Sequence, residues 1–247
     1  IAGTIESISK ITPELLYRCY STFYHPSNMA VFVVGDLVPD EVAARVEENI
    51  ASRNYDPMGA IVRFLPGEPH EITEQKKVQE LVVSEPMLYI GFKDNIVSGL
   101  QGRDLMKREI LMEILLDSLF GTSEEFYNHM YREDLIDEGF GFEYSAENSY
   151  GYTMIGGETR DPDRVYYMVM ERIKKALSGG ISAEQFERHR RKLLGGYIRR
   201  FNSLEFIANN FLAYRFRDTD LFELPAILQD VSREDLQNLI SENLDLS

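Results

Sequence analysis

A single cysteine, Cys19, is all the thiol chemistry in this 247-residue sequence. An internal disulfide is excluded, as is any zinc site built from several thiolates, and the composition fits a reducing cytosol. Basic side chains are also scarce: 26 Lys and Arg stand against 41 Asp and Glu, for a net charge of −15. The mean field therefore repels phosphate backbones and anionic lipid, so neither nucleic acid nor a membrane is an expected partner. Apolar runs fall well short of the roughly 20 residues that a spanning helix needs. A cytoplasmic location is the expectation.

Motifs of catalysis are missing as well. His25, His70, His129 and His189 are scattered, with no pair at the i, i+3 or i, i+4 spacing that sets two imidazoles on one metal. Neither His-Glu-x-x-His nor its inversion His-x-x-Glu-His occurs, nor a Gly-x-Ser-x-Gly elbow, nor a phosphate-binding loop. Cys19 falls in an apolar helical stripe, which predicts a buried structural thiol rather than a nucleophile.

What is present is a mixed set of helices and strands, 44% of the residues being hydrophobic. Thr12 with Pro13 announces a helix carrying Leu15, Leu16, Cys19, Tyr20 and Phe23 on one side. His25 to Asn28 stops it, and Ala30 to Val34 reads as a strand buried on both faces. Pro39 opens a helix through Ile50. From Asn54 to Lys77 periodicity gives way to prolines and glycines, which predicts a connector with a domain boundary between 66 and 67. Val78 to Ser84 and Met87 to Phe92 read as strands, and Arg103 to Phe120 as a central buried helix.

Thr122 and Glu125 predict a capping box after the Gly121 break. Gly139 to Glu143 and Tyr152 to Gly156 read as strands, with Gly156-Gly157 marking a close backbone approach. Asp161-Pro162, Ser182 with Gln185, Ser203 and Ser232 start further helices, the second of them interrupted at Gly195-Gly196. Because strands and helices do not alternate strictly, the layout is α+β. The capped starts Ile11 to Leu16 and Val231 to Leu236 share one pattern, as a duplicated unit would give.

Two polar groups stand out. Glu125, His129 and Glu133 share one helix face, but the outer two lie roughly 12 Å apart along the axis, so a solvated face outweighs a metal site. Arg188, His189, Arg190, Arg191 and Lys192 form the only dense basic cluster, which also reads as a solvated face, with an acidic partner or a peptide carboxylate as the alternative.

Three stretches carry a resemblance: Gly3 to Ile8 with Phe23-Tyr24-His25-Pro26-Ser27-Asn28-Met29 leading into Val31 to Asp36; Leu119-Phe120-Gly121-Thr122-Ser123-Glu124-Glu125-Phe126-Tyr127; and Ser203 to Pro225. Together they are similar to the C-terminal part of the pitrilysin or insulinase (inverzincin) zinc peptidases, nearest to a bacterial subgroup of zinc proteases. The resemblance implies two homologous domains that enclose a peptide: residues 1–66 as the tail of the N-terminal catalytic-type domain, and 67–247 as the non-catalytic, substrate-enclosing domain with an antiparallel-rich sheet on helices.

The start at Ile1 rather than Met reads as a cut point, and the resemblance implies that zinc and its ligands belong to the full-length parent, so this chain alone is expected to carry no metal site and hydrolyse no peptide. The family's second domain supplies an arginine and, seven residues on, a tyrosine. Aligned on Phe126, those positions hold Met130 and Asp137. Arg132 and Tyr144 are the nearest substitutes for substrate binding, and a homo- or heterodimer with a paralogous subunit is the expected remedy. The alternative is a non-catalytic structural or assembly subunit.

Overall fold

Local capping chemistry sets most helix starts. The computed structural model describes residues 3–244 except 54, 56, 57, 60, 63, 65, 66 and 68. Part of the predicted connector, including both residues that flank the 66/67 boundary on its N-terminal side, thus lies outside the described residues. After a single turn, α1 (Ile5–Ile8), the Thr12 hydroxyl accepts the Leu15 N–H at 3.3 Å and Pro13 opens α2 (Pro13–Phe23). A 3₁₀ turn at Pro26–Asn28 ends that region, and α3 (Pro39–Ala51) follows.

None of these three helices buries a residue. The stripe read as core on α2 leaves Leu16, Tyr20 and Phe23 exposed, and Cys19 is exposed with them. The expected two-face strand at Ala30 to Val34 joins no ladder, and Val31 is 62% exposed. Val78 to Ser84 likewise forms no strand. The physical reason is shared. A helix closes its own hydrogen bonds, so a cap and a proline suffice to start it, whereas a strand and an apolar stripe need neighbours distant in sequence. Among the described residues these surfaces are only partly covered.

From residue 87 the character changes, and Ile90 is the first buried residue among those described. Strands β1 (Met87–Lys93), β2 (Gly141–Glu147) and β3 (Tyr150–Glu158) form an antiparallel sheet in the order β1-β3-β2. The register sets Ile90 opposite Ile155 and Ile155 opposite Phe142. A Cβ on Gly156 would run into the Leu88 carbonyl, and one on Gly157 into the Phe140 backbone, which is the close approach the glycine pair predicted.

The long helix α4 (Gly102–Phe120) is the hub, with 13 buried residues on several faces. It packs against β2, α5 (Glu125–Arg132), α6 (Pro162–Gly179), α7 (Ala183–Arg200), α9 (Leu224–Asp230) and α10 (Arg233–Asn243). Met112, Leu115, Leu116 and Leu119 meet Ile155, Val169, Ile173 and Ile240 in one core. The architecture is the expected α+β one, an antiparallel sheet against helices. Gly195-Gly196 do not interrupt α7, which runs unbroken through both. Helix α8 (Leu204–Arg215) buries nothing fully, but its Phe211 stacks on Phe32 with ring centroids 4.4 Å apart, seating the N-terminal stretch on the body.

Candidate functional site

The resemblance points to α5 and the strand after it. Thr122 does not cap this helix as expected: the N-cap is Glu124, and no side chain closes the first turn. The Glu124 carboxylate is drawn elsewhere, toward α7. At the other end the Leu135 and Asp134 N–H groups return to the Met130 and Tyr131 carbonyls, with Asp134 in the left-handed region and its side chain paired to Arg160. That is a Schellman ending, with an aspartate where glycine is usual.

Met130, the position aligned with the family arginine, is fully buried in the core. A guanidinium there would be an unpaired buried charge rather than a peptide ligand. Asp137 is exposed and its Oδ1 accepts the Gly139 N–H at 2.9 Å. Arg132 lies on the exposed side of α5, paired with Glu125. Tyr144 lies on β2, half-buried, and donates to Asp94 Oδ2 at 2.7 Å. The two proposed substitutes therefore take separate partners: one sits at the surface, the other in an internal network.

That network is closed. Arg108 donates to both Asp94 oxygens, from Nε at 2.7 Å and from its terminal nitrogen at 2.8 Å, and also to Glu242 at 3.1 Å. Burial would discharge the guanidinium, but the Asp94 hydrogen bonds more than offset it. Burial, and the adjacent Asp94 carboxylate, hold the Tyr144 phenol far above its ordinary value. A shallow cleft of about 250 Å³ opens beside it, lined by His70, Lys93, Ser98, Ser149 and Tyr152 among others.

The basic cluster contains the residue that spacing could not flag. His189 is buried, with Nδ1 2.6 Å from Asp117 Oδ2 and Nε2 2.8 Å from Glu124 Oε1. Lys192 also holds Asp117 and Arg188 holds Glu124, while Arg190 donates to the Leu228 carbonyl at 2.8 Å. A solvated face is thus the wrong reading for His189. Its signal was indirect: a histidine seven residues beyond the Ser182 cap, between two arginines, faces whatever α7 packs on, and the last turn of α4 brings Asp117 there.

None of this fits zinc. Among the described residues no three His, Cys, Asp or Glu side chains are grouped to hold a metal ion. Glu125 is taken by Arg132 and Glu133 pairs with Arg164 at 3.4 Å, so the face with His129 gathers no ligand set. No helix among the described residues is long and apolar enough to cross a membrane.

An antiparallel sheet packed on helices around α4 is the α+β architecture of an M16-like peptidase domain. The chain belongs to the Peptidase M16 inactive domain family, whose sequence profile matches residues 10–193. It is 38% identical over 244 residues to the uncharacterized zinc protease YmfH of Bacillus subtilis (strain 168), across 99% of this chain and 56% of that protein. The crystal structure of an M16-like peptidase from Alicyclobacillus acidocaldarius shares the fold with a TM-score of 0.92 at 34% identity, over 99% of this chain and 58% of that one. A protease from Helicobacter pylori shares the fold more distantly, at a TM-score of 0.80 and 17% identity. The chain spans little more than half the length of the relatives it matches.

Proposed function

We propose that this chain is the non-catalytic part of a zinc endopeptidase, helping to enclose and hold a peptide that is cut elsewhere. Residues 67–247 would form the substrate-enclosing domain, and 1–66 would belong to the tail of a catalytic-type domain. Zinc and its ligands would lie in sequence that the longer relatives have and this chain does not. The observation that carries the reading is the division at residue 87: a full core beyond it, and before it helices α2 and α3 whose apolar faces no described residue buries fully. Such faces are stable only against a further layer.

With Met130 buried, α5 cannot present the family arginine from that position, so a paralogous subunit would supply cationic and phenolic groups to the peptide. Arg132 remains the exposed cation of α5 available to share that work.

The test uses the whole protein. Chelator-sensitive peptide hydrolysis is expected, with KM raised and kcat little changed in Arg132→Ala, since a group that only holds substrate acts through binding. Unchanged KM at unchanged folding would remove Arg132 from the peptide-holding set. No chelator-sensitive hydrolysis, with or without a related subunit, would overturn the reading.

A further inference from the structure

We propose that His189 is an imidazolium latch: carrying both ring protons, it ties Asp117 at the end of α4 to Glu124 at the start of α5, and losing one of them as pH rises loosens α5. The inference stands on the geometry of this chain and does not depend on the zinc reading.

A neutral imidazole has one N–H and one lone pair, so it can donate to only one of two carboxylates. Here each ring nitrogen lies at hydrogen-bond distance from a carboxylate oxygen, 2.6 Å to Asp117 and 2.8 Å to Glu124. A neutral ring would point its lone pair at an anion. The alternative, a protonated carboxyl, is disfavoured by the other cations. Lys192 reaches both Asp117 oxygens at 2.7 and 2.8 Å, Arg188 reaches Glu124 at 2.5 Å, and Arg172 on α6 stands 3.9 Å from Glu124. Gln185 donates to Glu124 at 3.1 Å, and Glu113 on α4 adds a further negative field beside Asp117. The proton therefore belongs to the ring.

The titration behaviour agrees. Burial pushes His189 down, but the hydrogen bonds to Asp117 and Glu124 outweigh it and its pKa is raised. Asp117 and Glu124 are both lowered in spite of burial, through the same partners.

The consequence reaches α5 because Glu124 is its N-cap residue, and its side chain serves His189 and Arg188 instead of the helix. An eight-residue helix without a side-chain cap is marginal alone, so beyond the packing of Tyr127 and Met130 its first turn depends on the Glu124 contacts, of which His189 is the one that titrates near neutral pH. Tyr131 and Arg132 ride on that helix, at its exposed C-terminal end. The sign follows from the raised value: the latch is closed below the ordinary histidine value of about 6.5 and opens as pH climbs through the higher folded value.

The experiment follows the ring nitrogens of His189 by nitrogen-detected NMR in the intact chain, together with hydrogen exchange of the 125–132 amides corrected for intrinsic rates. Expected are two protonated ring nitrogens at pH 6, a midpoint above about 6.5, and protection of α5 that falls across the same midpoint. His189→Gln should lose the pH step in α5 protection. A ring neutral at pH 6, a midpoint at or below the ordinary value, or α5 protection indifferent to the titration would overturn the proposal. The ring and exchange readouts need no variant, so a poorly folding His189→Gln does not decide the matter.

Discussion

The Tyr144 hydroxyl donates a hydrogen bond to the Asp94 carboxylate, 2.7 Å away, that Arg108 already grips with two hydrogen bonds. The three groups come from β2, the end of β1 and α4, so this buried triad fastens the hub helix to the sheet. Asp94→Ala leaves a guanidinium that is 7% exposed without its main partner, and should cost about 3–5 kcal/mol. Tyr144→Phe removes one hydrogen bond to a charged acceptor and should cost about 1.5–3 kcal/mol. Chemical denaturation at neutral pH measures both, and equal, small losses would show that the triad is not a buried unit.

Gly156→Ala should be among the most damaging single-methyl additions. Its Cβ has no room beneath the Leu88 carbonyl, and that carbonyl cannot move without breaking the β1-β3 ladder. A cost of about 3 kcal/mol or more is expected, whereas Gly195→Ala, in open space in mid-α7, should be neutral or stabilising. Thermal melts of the two variants side by side check the contrast.

Phe211→Ala should free the N-terminal stretch while leaving the body folded. The Phe32–Phe211 stack is worth about 0.5–1.5 kcal/mol beyond the area it covers, and Phe211 is only half-buried. Limited proteolysis should cut faster near residues 29–34, with little change in the main melting transition.

Much of this was legible in the sequence, and the division has a physical cause. Caps and prolines at Thr12, Asp161, Ser182, Ser203 and Ser232 act within four residues, so the helix starts could be read directly. The buried α4 and the Gly156-Gly157 approach were legible because they leave composition signatures. Cys19 and the Ala30 to Val34 run were misread because burial is decided by neighbours: Cys19 stays exposed, and among the described residues the run has the Phe32–Phe211 stack in place of a sheet. Thr122 failed as a cap because Glu124 was recruited by His189, 65 residues away. His189 itself looked like part of a solvated cluster, since nothing nearby in sequence announces Asp117 and Glu124 as its partners.

Acid should destabilise the chain through paired carboxylates. In Asp235 burial pushes the pKa up, but hydrogen bonds from Ser232 and Lys107 outweigh it and the value is lowered. Asp117 and Glu124 are lowered likewise. A depressed folded value means stability that is present above the unfolded value, about 4, and lost as pH falls through the folded one. Ser232→Ala should cost about 1 kcal/mol at neutral pH and shift acid unfolding to higher pH; an unchanged acid midpoint would show that the α10 cap does not contribute.

If the proposed division of labour holds, catalysis needs zinc ligands from outside this chain, and metal analysis tests that most directly. The purified chain, loaded with excess zinc, dialysed and analysed for metal, then incubated with unstructured peptides with and without chelator, should retain no stoichiometric zinc and cleave nothing. Stoichiometric zinc together with chelator-sensitive cleavage by this chain alone would contradict it.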